Sequence, residues 1–244
     1  MLLEISYVAL MILMNVIIYV IGQYAIDRTS KSPSEARKLK LKLAAYLAGW
    51  QVYLFGIAST GILQNFDPPP RFVIFLVLPA FIFTGIFLSR NKDKRWVQII
   101  PKSWAVYYQT FRILIESLFV FSVAAGTLHY HVTIEGYNFD MIFAFTAPVV
   151  GLLVFGRKLL PEVVVKAWNY LGLAVIASII FLFLTTAMLP EMYGSTEPLL
   201  PKEFGMYPYV VVPGFLMPSA VFMHVFSLVQ LSRKSKEEKI LVHS

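Results

Sequence analysis

Arg112 and Glu116 stand four residues apart inside a long apolar run, so on a helix their side chains share one face. A guanidinium can grip a carboxylate or phosphate through two parallel hydrogen bonds. A carboxylate in the same place can balance a cation or hold a proton. Ionisable groups inside a bilayer are costly and face the bundle interior, where they mark solute or ion paths or pair with each other. Both readings stand for this pair: mutual neutralisation that knits helices, or a substrate or ion site. Counting ~1.5 Å of rise per residue from each span centre puts three further polar residues near the depth of Arg112. They are His224 in the last apolar run, Asn15 in the first and Gln51 in the second. Arg112, Glu116, His224, Asn15 and Gln51 are therefore the candidate solute-binding layer. Interhelical hydrogen bonding is the competing reading for His224, Asn15 and Gln51.

A second polar cluster follows the fourth apolar run. His129 and His131 flank Tyr130, and Glu135, Asn138 and Asp140 come within the same loop. His-x-His beside carboxylates has ligands for zinc or copper. No His-Glu-x-x-His pattern accompanies it, so a hydrogen-bonded outer loop is the plainer expectation, and no metal or other cofactor is expected. Phosphate-binding loops, dinucleotide fingerprints and nucleophile elbows are missing from the sequence. The chain contains no cysteine, which removes thiolate catalysis and thiolate metal sites.

The elements that would position these residues are membrane helices. Of 244 residues, 58% are apolar and only 14% charged, with a mean hydropathy of +0.69. A water-soluble fold of this size leaves too much surface to hide that much hydrocarbon. Soluble enzymes and nucleic-acid binders are thereby excluded. Seven runs approach the ~20 apolar residues that cross a bilayer: 5–26, 41–63, 72–88, 99–128, 139–155, 165–188 and 209–231. The expected fold is an all-α integral membrane protein, one transmembrane domain over 1–244. A 3+1+3 repeat arrangement and a rhodopsin-like ring both fit seven spans.

The net charge of +7 is a topology signal. All but three of the 21 Lys and Arg residues fall in the stretches 28–42, 90–102, 157–166 and 233–239. The exceptions are Arg71, Lys202 and Arg112. The positive-inside rule puts those four stretches in the cytoplasm, with the N-terminus outside and the C-terminus inside. The first run lacks a basic lead and is expected to remain as an uncleaved anchor. Trp96, Trp104 and Trp168 read as anchors at the inner interface. Pro79, Pro148, Pro213 and Pro218 fall inside spans, where proline frees carbonyls and bends helices. The outer stretch 190–208 is rich in proline yet too apolar for a solvated linker, and reads as a cap over the outer mouth.

Several motifs occur in order over residues 100–232. They are Phe111-Arg112 with Glu116, the stretch Thr133-Ile134-Glu135-Gly136-Tyr137-Asn138-Phe139-Asp140 leading to Thr146-Ala147-Pro148, the pair Trp168-Asn169, and Val212-Pro213 followed by Pro218 and His224. Together they resemble an uncharacterised family of bacterial, Bacteroidetes-type, seven-helix integral membrane proteins. The resemblance implies the bundle and matches its polar positions to Arg112, Glu116, Asn138, Asp140 and His224. It implies no activity. The outer segment Glu197-Pro198-Leu199-Leu200-Pro201 departs from the family pattern.

Three functions follow from these residues. The leading one is a midplane pocket that binds or transports a small polar or anionic solute, with Arg112 meeting its acid group. A sensor or membrane-complex assembly component is the second, working with a membrane partner or a second copy of the chain. The third is an intramembrane enzyme acting on lipid, with Glu135 and Asp140 beside His129 or His131 as its acid–base pair. A non-enzymatic role is favoured. The expected surroundings are a lipid bilayer, in the bacterial inner membrane, with no nucleic acid.

Overall fold

Hydrogen bonds closed within each segment are the way an apolar chain satisfies its backbone away from water, and this chain is built that way. The structure, a computed structural model, describes the backbone of residues 1–242 and the side chains of residues 1–232. Among the described residues there are helices and turns and no strand. The side chains of Arg233, Lys234, Lys236 and Lys239, counted above as a cytoplasmic stretch, lie outside the described residues.

Helix α1 (Leu2–Thr29) and α2 (Pro33–Ser59) form a hairpin. The start of α2 is specified locally. Ser32 Oγ accepts from the Glu35 backbone N–H at 3.2 Å, Glu35 accepts from the Lys31 N–H at 2.7 Å, and Pro33 occupies the first turn. Lys40 and Asp27 pair across the turn at 2.6 Å. The helix begins eight residues before the expected span because charged residues 35–42 continue it beyond its apolar part. It stops before residue 63 because Gly61, at φ 72°, turns the chain left-handed.

Helix α3 (Leu78–Asn91) is entered through a wide turn at Val73–Val77, and the short α4 (Arg95–Ile99) follows. The fourth expected span, 99–128, is not one helix. Pro101 starts α5 (Lys102–Tyr108), a tight turn at Gln109–Phe111 follows, and α6 (Arg112–Ala124) completes it. Then come α7 (Asp140–Gly151), extended by a wide turn to Gly156, α8 (Glu162–Met188), and α9 (Met217–Val242), entered through a wide turn at Val212–Leu216. Five of these helical stretches are long and apolar enough to cross a membrane: Leu2–Thr29, Pro33–Ser59, Val73–Asn91, Glu162–Met188 and Val212–Ser232. Asp140–Gly156 is apolar but shorter. The broken stretch 102–124 is apolar too.

The last helix is the hub. Inside the protein, 72% of its apolar span is buried, against 11% for α2. It packs on α8, α5 and α3. Gln230 Nε2 donates to the Val97 and Ile100 carbonyls at 2.6 and 2.8 Å, and Gln109 Nε2 donates to the Ala220 carbonyl at 3.0 Å. Tyr108 donates to Ser219 Oγ at 2.7 Å. These bonds tie the hub to the two interruptions of the fourth stretch.

Proline frees the carbonyl four residues before it. For Pro79 that is Phe75, and Tyr53 Oη donates to the Phe75 carbonyl at 2.7 Å. For Pro218 it is Gly214, and Trp50 Nε1 donates to the Gly214 carbonyl at 2.8 Å. One face of α2 thus caps two other helices. The approach is close: a Cβ on Gly214 would lie 2.6 Å from a Leu54 methyl.

The stretch after α8, residues 190–208, packs onto the bundle. Leu200 and Phe204 are buried, the Leu199 N–H bonds the Thr186 carbonyl at 2.8 Å, and Gly205 packs on the backbone of Leu63.

Candidate functional site

Arg112 is the first residue of α6, immediately after the tightened turn. That turn directs its side chain toward α7 and α9, and it is almost fully buried. Its partner is Asp140. Nε donates to Oδ2 at 2.8 Å, and Nη2 faces Oδ1 in the second arm of a fork. Of the two readings of the Arg112–Glu116 spacing, mutual pairing along the helix gives way to a cross-helix ion pair with Asp140. The aspartate opens α7, where a carboxylate also meets the positive end of the helix dipole.

This corrects the placement of Asn138 and Asp140 in the outer polar cluster. The loop 129–139 closes on itself and points its end into the bundle. The Tyr137 N–H bonds the His131 carbonyl at 2.9 Å, and the Gly136 and Asn138 N–H groups bond Thr133 at 2.9 and 3.1 Å. Gly136 permits this closure, since a Cβ there would lie 2.5 Å from the His131 carbonyl oxygen. Asn138 is buried as a result. Its Nδ2 donates to Glu116 Oε1 at 2.8 Å and to the Val132 carbonyl at 3.1 Å, while Oδ1 accepts the Asp140 N–H at 2.9 Å.

On the other side of Arg112, Nη1 lies 3.3 Å from His224 Nε2. His224 Nδ1 meets Asn169 Oδ1 at 2.8 Å. Asn169 Nδ2 donates to Ser227 Oγ and to the Val165 carbonyl, which leaves its oxygen to accept. The network therefore assigns the neutral histidine with the proton on Nδ1, and Nε2 accepts from Arg112. The imidazole fits only because residue 172 is glycine. A Cβ there would lie 2.6 Å from His224 Nε2 and 2.7 Å from the Phe143 ring. Trp168 is not an interface anchor. It is buried, stacks on Phe143 at 4.8 Å and donates to Thr146 Oγ1 at 2.7 Å. The guanidinium carbon of Arg112 lies 5.2 Å from the centre of the same Phe143 ring.

The result is one continuous buried chain: Glu116, Asn138, Asp140, Arg112, His224, Asn169 and Ser227. Arg112, Glu116 and Asp140 are its basic and acidic members, and among the described residues they are the buried acidic and basic side chains apart from His224. Carboxyl groups outnumber guanidinium groups by one. Glu116 Oε2 is the oxygen left over: it is buried and has no partner in the protein.

A cavity of about 70 Å³ lies against this chain. Arg112, Glu116, Asn138 and Asp140 line one end. The other walls are apolar and come from the approach to α3, from α6 and α8, from α9 with the turn that enters it, and from the stretch after α8, with Phe119, Ile176, Phe183, Phe204 and Leu216 among them. That volume has room for a few waters or a small organic group.

Asn15 and Gln51 do not line this cavity. They meet each other, Gln51 Nε2 donating to Asn15 Oδ1 at 3.4 Å, and fasten α1 to α2. His129, Tyr130, His131, Tyr137 and Tyr193 form a ring cluster where the loop after α6 meets the stretch after α8, with centroids 4.2 to 6.2 Å apart. Partial burial and the neighbouring His131 lower the pKa of His129 from its ordinary value. Glu135 is exposed. No group of three or more metal-ligating side chains occurs among the described residues. Asn169, Ser227 and Gly172 were not expected at the site. Asn169 is a polar amide inside an otherwise apolar helical run, which is the signal that could have found it. Comparisons with known protein families, with curated proteins and with solved structures find no match to this chain.

Proposed function

We propose that this chain is a membrane protein that binds and carries a small solute through the cavity beside Glu116, Asn138, Asp140 and Arg112. The observation behind it is the junction of a recessed cavity with a buried polar chain. An ion pair that served only to knit helices would be packed over by side chains, whereas here four polar residues border open volume. The reading includes seven spans, an outer N-terminus, a bacterial inner membrane and the resemblance to the bacterial seven-helix family. The basic stretches 28–42, 90–102 and 157–166 support the orientation. An anionic solute is less well served than the sequence alone implies, because Asp140 already occupies the guanidinium fork of Arg112.

Uptake into proteoliposomes tests this. Labelled small amines, carboxylates and polyols would be offered to vesicles with and without protein. The expected result is uptake of at least one class above protein-free vesicles, abolished when Ala220→Leu fills the cavity. Uptake of none, or uptake indifferent to that substitution in a folded variant, overturns the reading.

A further inference from the structure

The unmatched atom of the site has a definite chemistry. Glu116 is 1% exposed and borders the cavity. One carboxylate oxygen is bound by Asn138 at 2.8 Å and the other, Oε2, has no partner in the protein. The strong donors nearby face other partners. Arg112 spends Nε and Nη2 on Asp140 and turns Nη1 to His224. Asn138 spends Nδ2 on Glu116 and Val132. What the cavity offers an occupant at its polar end is thus an acceptor oxygen, on a site with two carboxyl groups and one guanidinium. A buried carboxyl without a counter-charge takes up a proton, so a cation in the cavity is what would keep Glu116 ionised.

The other end of the cavity sets the rest of the occupant. Its walls are hydrocarbon and aromatic. The lining residues that keep partial exposure are Phe72, Ile179, Ile180 and Met217, all apolar, from the approach to α3, from α8 and from the start of α9. A molecule held at Glu116 would therefore lay an apolar portion along Ile176 and Phe183 toward that rim.

Resting on the solute-binding reading above, we infer that the occupant is a small amphipathic amine: an ammonium head that meets Glu116 Oε2 and a short apolar tail in the Ile176–Phe183 end of the cavity. An ammonium group brings the missing positive charge and the donors that the oxygen lacks. A carboxylate head would add a second excess negative charge beside Glu116. A neutral alcohol would supply the donor and leave the charge unbalanced.

Three probes of equal chain length separate these cases: butylammonium, butyrate and butanol, followed by saturation-transfer NMR with the protein in nanodiscs and with empty nanodiscs as background. Butylammonium is expected to bind above background, with butyrate at background. Glu116→Gln keeps an oxygen for Asn138 and removes the charge, and is expected to weaken butylammonium at least tenfold. Glu116→Asp keeps the charge on a shorter arm and is expected to retain part of the binding, which separates charge recognition from a folding defect. Butyrate binding that depends on Arg112 would leave the cavity reading standing and overturn the amine. Butylammonium binding unchanged in Glu116→Gln, or no better than butanol binding, would overturn the amine as well. Binding of none of the three probes would overturn this inference, while the uptake assay above decides the cavity reading separately.

Discussion

The cost of each polar residue in the buried chain is set by what it leaves behind when removed. Asp140→Ala strands a buried guanidinium, and breaking a buried pair on one side costs about 3–5 kcal/mol. Thermal unfolding in detergent should show that loss. Lys102→Ala breaks the half-exposed pair with Glu162, at 2.8 Å, and should cost about 1 kcal/mol or less. Equal effects from the two variants would mean that the Arg112–Asp140 pair is solvated. Gly172→Ala should cost about 1–3 kcal/mol by overpacking the His224 and Phe143 rings, and the His224 ring resonances should shift with it. Arg112, Glu116 and His224 could be read from the sequence because charge and imidazole stand out in hydrocarbon. Asp140 and Asn138 could not be placed, because depth was counted along straight helices and their loop folds back into the bundle. Asn15 and Gln51 share a depth with Arg112 but not a direction, and direction around the bundle depends on which helices are neighbours.

At the level of elements, the interruptions carry more structure than the regular turns. Six apolar runs correspond to helical stretches because length and hydropathy are local properties. The break at Gln109–Phe111 was not legible, since no proline or glycine marks it in the sequence around Tyr108, Gln109 and Thr110. It is held by partners on α9, Ser219 and Ala220, that are over a hundred residues away. The prolines were legible as bends, but the donors that accept the freed carbonyls were not. Tyr53→Phe and Trp50→Phe each leave one carbonyl unpaired in an apolar setting. Each should cost about 1 kcal/mol, the scale of side-chain hydrogen bonds between membrane helices. Chemical denaturation in mixed micelles would measure it, and a loss near zero for both would show that the carbonyls find other donors. Because Trp50 and Tyr53 are neighbours on one face, with ring centroids 5.0 Å apart, the two losses should not be strictly additive.

For the molecule as a whole, the cysteine-free sequence makes topology directly measurable. Ser34→Cys, within the first basic stretch, is at an exposed site, and Ser195→Cys, in the stretch after α8, is at a partly exposed one. An impermeant maleimide applied to intact cells should label residue 195 alone, and labelling of residue 34 from outside would reverse the proposed orientation. The hub position of α9 bears on biogenesis as well. In chain order α9 follows α3, α5 and α8, the helices it packs against, and it brings His224 and Ser227 to Arg112 and Asn169. A nascent chain leaves the ribosome from its N-terminus, so the earlier helices enter the membrane around a vacant centre. Until α9 arrives, Asn169 and one arm of Arg112 must be satisfied by water, lipid head groups or an insertion partner. Assembly of this bundle therefore closes from the rim inward, and the polar chain is completed only at its last step.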